Sequence, residues 1–296
     1  MDVDPAMESA ACEVEDGPGL DTTQGCLAPE VIYHYTNAQG LLGIVSSGAI
    51  WASDIGFLND SQEVSFAQGQ LQKEIEALQP GPSSDPKYLQ SFETHRNAVL
   101  GHLRRRDFST YVSCFCENGN VLSQWRAYAT DHGYAIGMKS SYVETALNSL
   151  SGYFGSLAPA TYGIDGGAVK RAAAGVPGMT MSIYNHPGMY ADPGVRTLVS
   201  VLATMKHPDF AEEREWRVVV TQRYSLGPKM AEPVKFRASS VAIVPFIEIP
   251  IVVDAIDSVR VGPGNNQAVR QVGAERLLSA YGSSAPVIVS ETPLRS

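Results

Sequence analysis

From residue 29 onward, the hydrophobic pattern switches repeatedly between a strand period of two and a helical period near 3.6. Residues 30–35 read as a strand. Leu41, Ile44 and Val45 then stand at i, i+3, i+4 spacing, the buried stripe of a helix that Gly48 ends. A short strand is expected at 50–52. Asp60 followed by Glu63 matches a capping box, opening a helix that runs to Leu78. Residues 80–86 form a Pro-rich loop, and Asp85-Pro86 starts a helix ending near Arg106. Thr110–Cys116 reads as a buried strand, 121–129 as a short helix with Trp125 and Tyr128 on one face, and 133–139 as a strand. Residues 150–190, rich in Gly, Ala, Ser and Tyr, carry the weakest pattern. A helix over 195–206 is interrupted by Pro208. Strands at 214–221, 231–237, 241–247 and 256–261, a helix at 265–280 and a strand at 286–290 complete the series. The order predicts an α+β fold, with a split, mainly antiparallel sheet and flanking helices. Residues 29–296 are read as a single domain behind a flexible, acidic leader at 1–28.

Composition narrows the function. A net charge of −9 argues against a protein that coats nucleic acid or an anionic membrane, because neutralising phosphate needs clustered Lys and Arg. The basic run Arg104-Arg105-Arg106 fits a helix C-terminus, where cations complement the macrodipole. Four cysteines in 296 residues are too few for a disulfide framework. No Cys-x-x-Cys or His-Glu-x-x-His spacing suggests a metal. The leader lacks a basic n-region with an apolar core, and no apolar run is long enough to span a bilayer. The expected location is the cytoplasm, with delivery to another cell or compartment left open.

Two stretches carry candidate chemistry. In the first strand His34 lies between Tyr33 and Tyr35, which face the side opposite to it. It is either a buried histidine held by a carbonyl or a ligand contact. The second stretch is Glu213-Arg-Glu-Trp-Arg217. If it is already extended, Glu213, Glu215 and Arg217 share one face, with the carboxylates roughly 7 Å apart. Such a pair suits a reaction that builds positive charge on a sugar carbon. Glu213 and Arg217 also stand at helical i,i+4 spacing, which would make them a solvated ion pair. A Cys114 or Cys116 nucleophile with a His34 or His132 base is the rival catalytic arrangement, without a local sign of thiol activation.

Taken together, His34-Tyr35-Thr36, Leu58-Asn59-Asp60-x-x-Glu63, Cys114-Phe115, Trp125-x-x-Tyr128 with Gly133, Glu213-x-Glu215-Trp216-Arg217 and Val289-Ser290-Glu-Thr-Pro form an ordered set. That set resembles the bacterial family catalogued as domain of unknown function 2971, over about residues 30–295. The family in turn resembles a distant branch of the ADP-ribosyltransferase fold. That resemblance implies NAD as substrate, loss of nicotinamide and transfer of ADP-ribose to an acceptor it does not identify. By position, His34 would bond the adenosine-side ribose, while Tyr35 and Thr36 would shape the pocket. Glu215 would hold the nicotinamide ribose and stabilise the oxocarbenium-like state, and Glu213 would position the acceptor. Trp125, Tyr128 or Tyr35 would stack on the cationic nicotinamide. Ser113 lies near the strand where relatives carry a Ser-Thr-Ser element, and the departure from that element affects the nicotinamide contacts. The alternative implied is a ligand-binding or sensor module of a bacterial stress or phage-defence system that lacks turnover.

Overall fold

The computed structural model describes residues 27–57, 61–80, 85–105, 110–128, 133–163, 193–222, 233–239 and 242–292. The Asp60 end of the expected capping box, most of the leader and most of 150–190 lie outside them.

The chain enters through β1 (Val31–Thr36) and α1 (Ala38–Ser47). Asn37 caps α1, its side-chain oxygen accepting from Gly40 N at 2.9 Å. Gly48 ends the helix in the left-handed region at φ 61°, so Leu41, Ile44 and Val45 are buried as their spacing predicts. Then follow β2 (Ala49–Asp54), α2 (Ser61–Ala77), α3 (Pro86–Arg105), β3 (Thr110–Cys116), α4 (Leu122–Tyr128) and β4 (Tyr134–Lys139). Asp85 accepts from Lys87 N at 2.9 Å and opens α3, which ends within the basic run as expected. Two elements not anticipated come next, α5 (Ser140–Ser149) and β5 (Tyr153–Pro159). After β6 (Thr161–Tyr162) the description resumes at α6 (Pro193–Thr204), β7 (Met205–Lys206) and a 3-10 turn, Pro208–Glu213. The remaining elements are β8 (Glu215–Gln222), β9 (Lys235–Ala238), β10 (Ile243–Pro250), β11 (Ile256–Val261), α7 (Gln267–Ala280) and β12 (Val287–Val289).

Ten of these strands form one mixed, mainly antiparallel open sheet in the order β12-β11-β4-β1-β3-β2-β10-β9, with β8 against β3 and β5 against β8. Among the described residues, only the β11–β12 pair in it is parallel. β8 pairs with β3 along its whole length, from Thr110↔Thr221 to Cys116↔Glu215. β1 and β2 must therefore share the other edge of β3. β2 takes Tyr111 and Val112, and β1 reaches only Cys116, through Tyr33. Past Tyr33, β1 stays with β4 and leaves β3, so the sheet forks at residues 113–115 of β3.

Alternation along β8 separates two cores. Trp216, Val218 and Val220 join Phe115, Ile136, Met138, Ile247 and Ile249 beneath α1, α5 and α7. Val219 and Val112 face the other way, towards Leu71 and Ile75 of α2, Val99 of α3 and Leu202 of α6. Glu215 and Arg217 share the pleat direction of Val219, so they are charges placed within an otherwise apolar layer. Among the described residues no helix is long and apolar enough to cross a membrane.

Candidate functional site

The start of β8 is shaped by a break in the backbone. After the 3-10 turn, Arg214 adopts φ 41° and ψ 56°, a left-handed conformation unfavourable for a side-chain-bearing residue, and β8 begins only at Glu215. The stretch 213–217 is thus neither one extended run nor a helix, which corrects both sequence readings of Glu213 with Arg217. Backbone contacts hold the turn from two sides. Glu215 N donates to the Tyr162 hydroxyl at 2.6 Å, and Glu215 O accepts from Ala160 N at 2.8 Å.

The two glutamates nevertheless meet. Lys206 Nζ contacts Glu213 Oε2 and Glu215 Oε2. Arg217 Nε donates to Glu215 Oε1 at 2.7 Å, and its Nη1 donates to the Ala203 carbonyl at 2.8 Å. The Cys114 thiol lies close enough to the Glu215 carboxylate to be raised by its charge. Lys206, Glu213, Glu215 and Arg217 are 3%, 7%, 4% and 2% exposed, so their charges are balanced by one another rather than by bulk water. Burial alone would raise the Glu215 carboxyl, but Arg217 and Lys206 outweigh it and hold the group at about 2. The Phe210 ring lies 5.2 Å from the Lys206 ammonium. Two phenols feel the same charges. Tyr162 is raised to about 12, by burial first, and Tyr128 is also raised, by burial and then by Cys114 and the two glutamates against Lys206.

His34 reaches this region from the fork. Its Nδ1 lies 2.9 Å from the Cys114 carbonyl oxygen, and its ring packs 5.6 Å from Phe115. Burial lowers its pKa more than the carbonyl contact raises it, so the ring is neutral at pH 7. A proton on Nδ1 satisfies the carbonyl and leaves Nε2 as an acceptor. The register sends His34 to the Phe115 side of β3 and Glu215 to the Cys114 side. The two side chains are thus brought to one residue, Cys114, rather than to each other.

The other predicted contacts divide clearly. Tyr35 donates to Asn118 O at 2.9 Å, accepts from Val121 N at 2.8 Å and packs edge-on against Trp125 at 4.7 Å. Trp125 is 1% exposed and donates from Nε1 to Asn120 Oδ1 at 3.0 Å. Both rings pin the turn between β3 and α4. Tyr128, at 42% exposure, is the exposed member of the three aromatics. Thr36 lies against α1: a Cβ added to Gly40 would come within 1.9 Å of Thr36 Oγ1. The Ser113 hydroxyl is buried without a hydrogen-bond partner among the described residues. Next to Glu213, a recess opens between the β3–α4 turn and the Arg214 turn, lined by Glu117, Asn118, Val121, Glu212, Glu213 and Arg214. Glu117 accepts from Trp216 Nε1 at 3.0 Å at its rim. No group of three His, Cys, Asp or Glu side chains among the described residues is placed to hold a metal ion.

Residues 124–218 match the model of a family described as Protein of unknown function (DUF2971). That span runs from α4 to β8 and includes Trp125, Tyr128, Glu213 and Glu215. It supports the resemblance to this family over that part of the chain. No curated protein and no solved structure matches the sequence.

The sequence patterns alone give Lys206 and Tyr162 no role. Lys206 did leave a signal, as the first charge after the apolar run from Leu198 to Met205. Tyr162 left none, because its hydroxyl meets Glu215 only through the tertiary pairing of β6 with β7.

Proposed function

We propose that this protein is an NAD-binding mono-ADP-ribosyltransferase-like enzyme with Glu215 as its central carboxylate and Glu213 beside it. The observation that carries the reading is the convergence of two glutamates at the start of β8, with Glu215 held ionised and the half-exposed Tyr128 within reach of its charge. A fixed negative charge of this kind favours positive charge developing on a ribose carbon as nicotinamide leaves. Tyr128 offers its face to the cationic ring, and neutral His34 offers Nε2 to a ribose hydroxyl at the fork. Glu213, at the recess, would orient the acceptor.

A second reading has its own support. Arg217 and Lys206 occupy the Glu215 carboxylate, and His34 points to the other side of β3. That arrangement favours a ligand-binding or sensor module without turnover. Calorimetric titration with NAD, alongside release of labelled nicotinamide, separates the two. The enzyme reading expects release by the wild type and at least ~100-fold less by Glu215→Gln, the scale of losing a key transition-state contact. Binding without release supports the module, equal release by both proteins removes Glu215 from the chemistry, and absence of binding refutes the enzyme reading and any module that takes NAD.

A further inference from the structure

We propose that Lys206 is the positioning residue of this site, a single ammonium that clamps the Glu213 and Glu215 side chains into an acid pair. The inference rests on the reading of Glu215 as the working carboxylate, and it adds a residue to which that reading gives no part. Strand geometry does not explain the pair. The left-handed Arg214 and the 3-10 turn break the pleat that would have set the two glutamates on one face. What brings the two carboxylates together is contact with the same nitrogen.

The clamp is itself held in place. β7 pairs with β6 in parallel, placing Lys206 opposite Tyr162, and Lys206 O accepts from Gly163 N at 2.9 Å. The same two-residue strand thus fixes the Lys206 backbone and supplies the hydroxyl that receives Glu215 N–H. Among the described residues, the titratable groups around the ammonium and carboxylates include Cys114 and Cys116 from β3, Tyr128 from α4, Tyr162 from β6 and Arg217 from β8. Of these, Arg217 is the one permanent cation, and its Nε and Nη2 address Glu215. Without Lys206, the two buried carboxylates would keep one guanidinium among the described residues. Like charges so placed do not both remain ionised, so the pair would hold a proton at neutral pH.

The test uses Lys206→Met, Lys206→Arg and the charge-balanced double variant Lys206→Met with Glu213→Gln, all in the full chain. Glutamate side-chain carboxyls are labelled with carbon-13 and titrated by NMR, which requires no activity. In Lys206→Met one buried carboxyl should take up a proton between about pH 5 and 8, a displacement of the size that adjoining like charges produce. Lys206→Arg should restore the wild-type titration, and the double variant should lose the new step. If the enzyme reading holds, Lys206→Met should lower nicotinamide release at least ~10-fold at pH 7 through kcat and recover towards pH 9. A folded Lys206→Met that titrates like wild type overturns the clamp. If Lys206→Met does not fold but the double variant does, the clamp stands. If neither folds, Lys206 supports the fold rather than the pair, and the proposal fails. A titration as expected in a wild type that leaves NAD intact retains the clamp and discards the NAD reading.

Discussion

Acid should weaken this fold through Glu215 in a window that can be stated in advance. The carboxyl moves from an ordinary 4.5 to about 2 in the folded protein. That difference corresponds to roughly 3 kcal/mol of stability. Because the folded value is the lower one, the unfolded chain binds more protons between the two. The contribution is complete above about pH 4.5 and is lost as pH falls towards 2. Urea unfolding of wild type and Glu215→Gln, measured from pH 6 to pH 2, isolates it. Glu215→Gln starts lower by roughly 3–5 kcal/mol at pH 6, the cost of leaving a buried ion pair incomplete, so sucrose is added to both proteins. The absolute offset is not the test. Wild type should lose about 3 kcal/mol more than the variant across the window, since other carboxylates titrate in both. His34 also titrates in both. Its lowered pKa gives stability present above about 6.5 and lost as pH falls from there towards its folded value, equally in both proteins. Parallel pH curves for the two proteins would show that Arg217 and Lys206 do not hold Glu215 ionised, and the electrostatic account of the site would fall.

Two further outcomes can be checked without a substrate. Asn120 Oδ1 accepts from Trp125 Nε1 and Thr292 Oγ1, each at 3.0 Å, and from Ser290 Oγ. Asn120→Ala should cost roughly 2–4 kcal/mol in chemical denaturation, about 1 for each bond with an added penalty for an unpaired indole N–H, while Ser290→Ala costs about 1. Burial and the neighbouring Glu215 raise the thiols of Cys114 and Cys116, so both should resist iodoacetamide at pH 8 in the native protein and react in urea, read by peptide mapping. Rapid native alkylation of Cys114 would revive a thiol nucleophile.

Where local signals and tertiary needs coincide, the sequence was sufficient to place the elements. β3 and β11 fall on their expected bounds, and α1 has both its apolar stripe and its caps. α5 shows the contrary case. Val143, Ala146 and Leu147 carry a helical stripe, but Lys139 provides no side-chain cap and the helix ends on Leu150 rather than glycine. β5 has mostly half-buried positions and a glycine, because Gly155 passes so close to Leu147 that an added Cβ would lie 2.9 Å from its Cβ. The acid pair could be named from residue order, while its partners could not. Lys206 and Tyr162 are separated by more than forty residues and reach Glu215 through a two-residue parallel pairing that no local pattern encodes.

The fork at β3 carries a further consequence. One wing of the sheet hangs from this strand through β1, the other through β2, and β8 takes the remaining edge. β3 is the strand that both wings and β8 share, so its backbone is held from both edges. Amide protons of β3 should therefore be the slowest to exchange with solvent, leaving only through a rupture of the whole molecule. The strand that carries Cys114 beneath both His34 and Glu215 is on this account the most rigid ground the chain can offer.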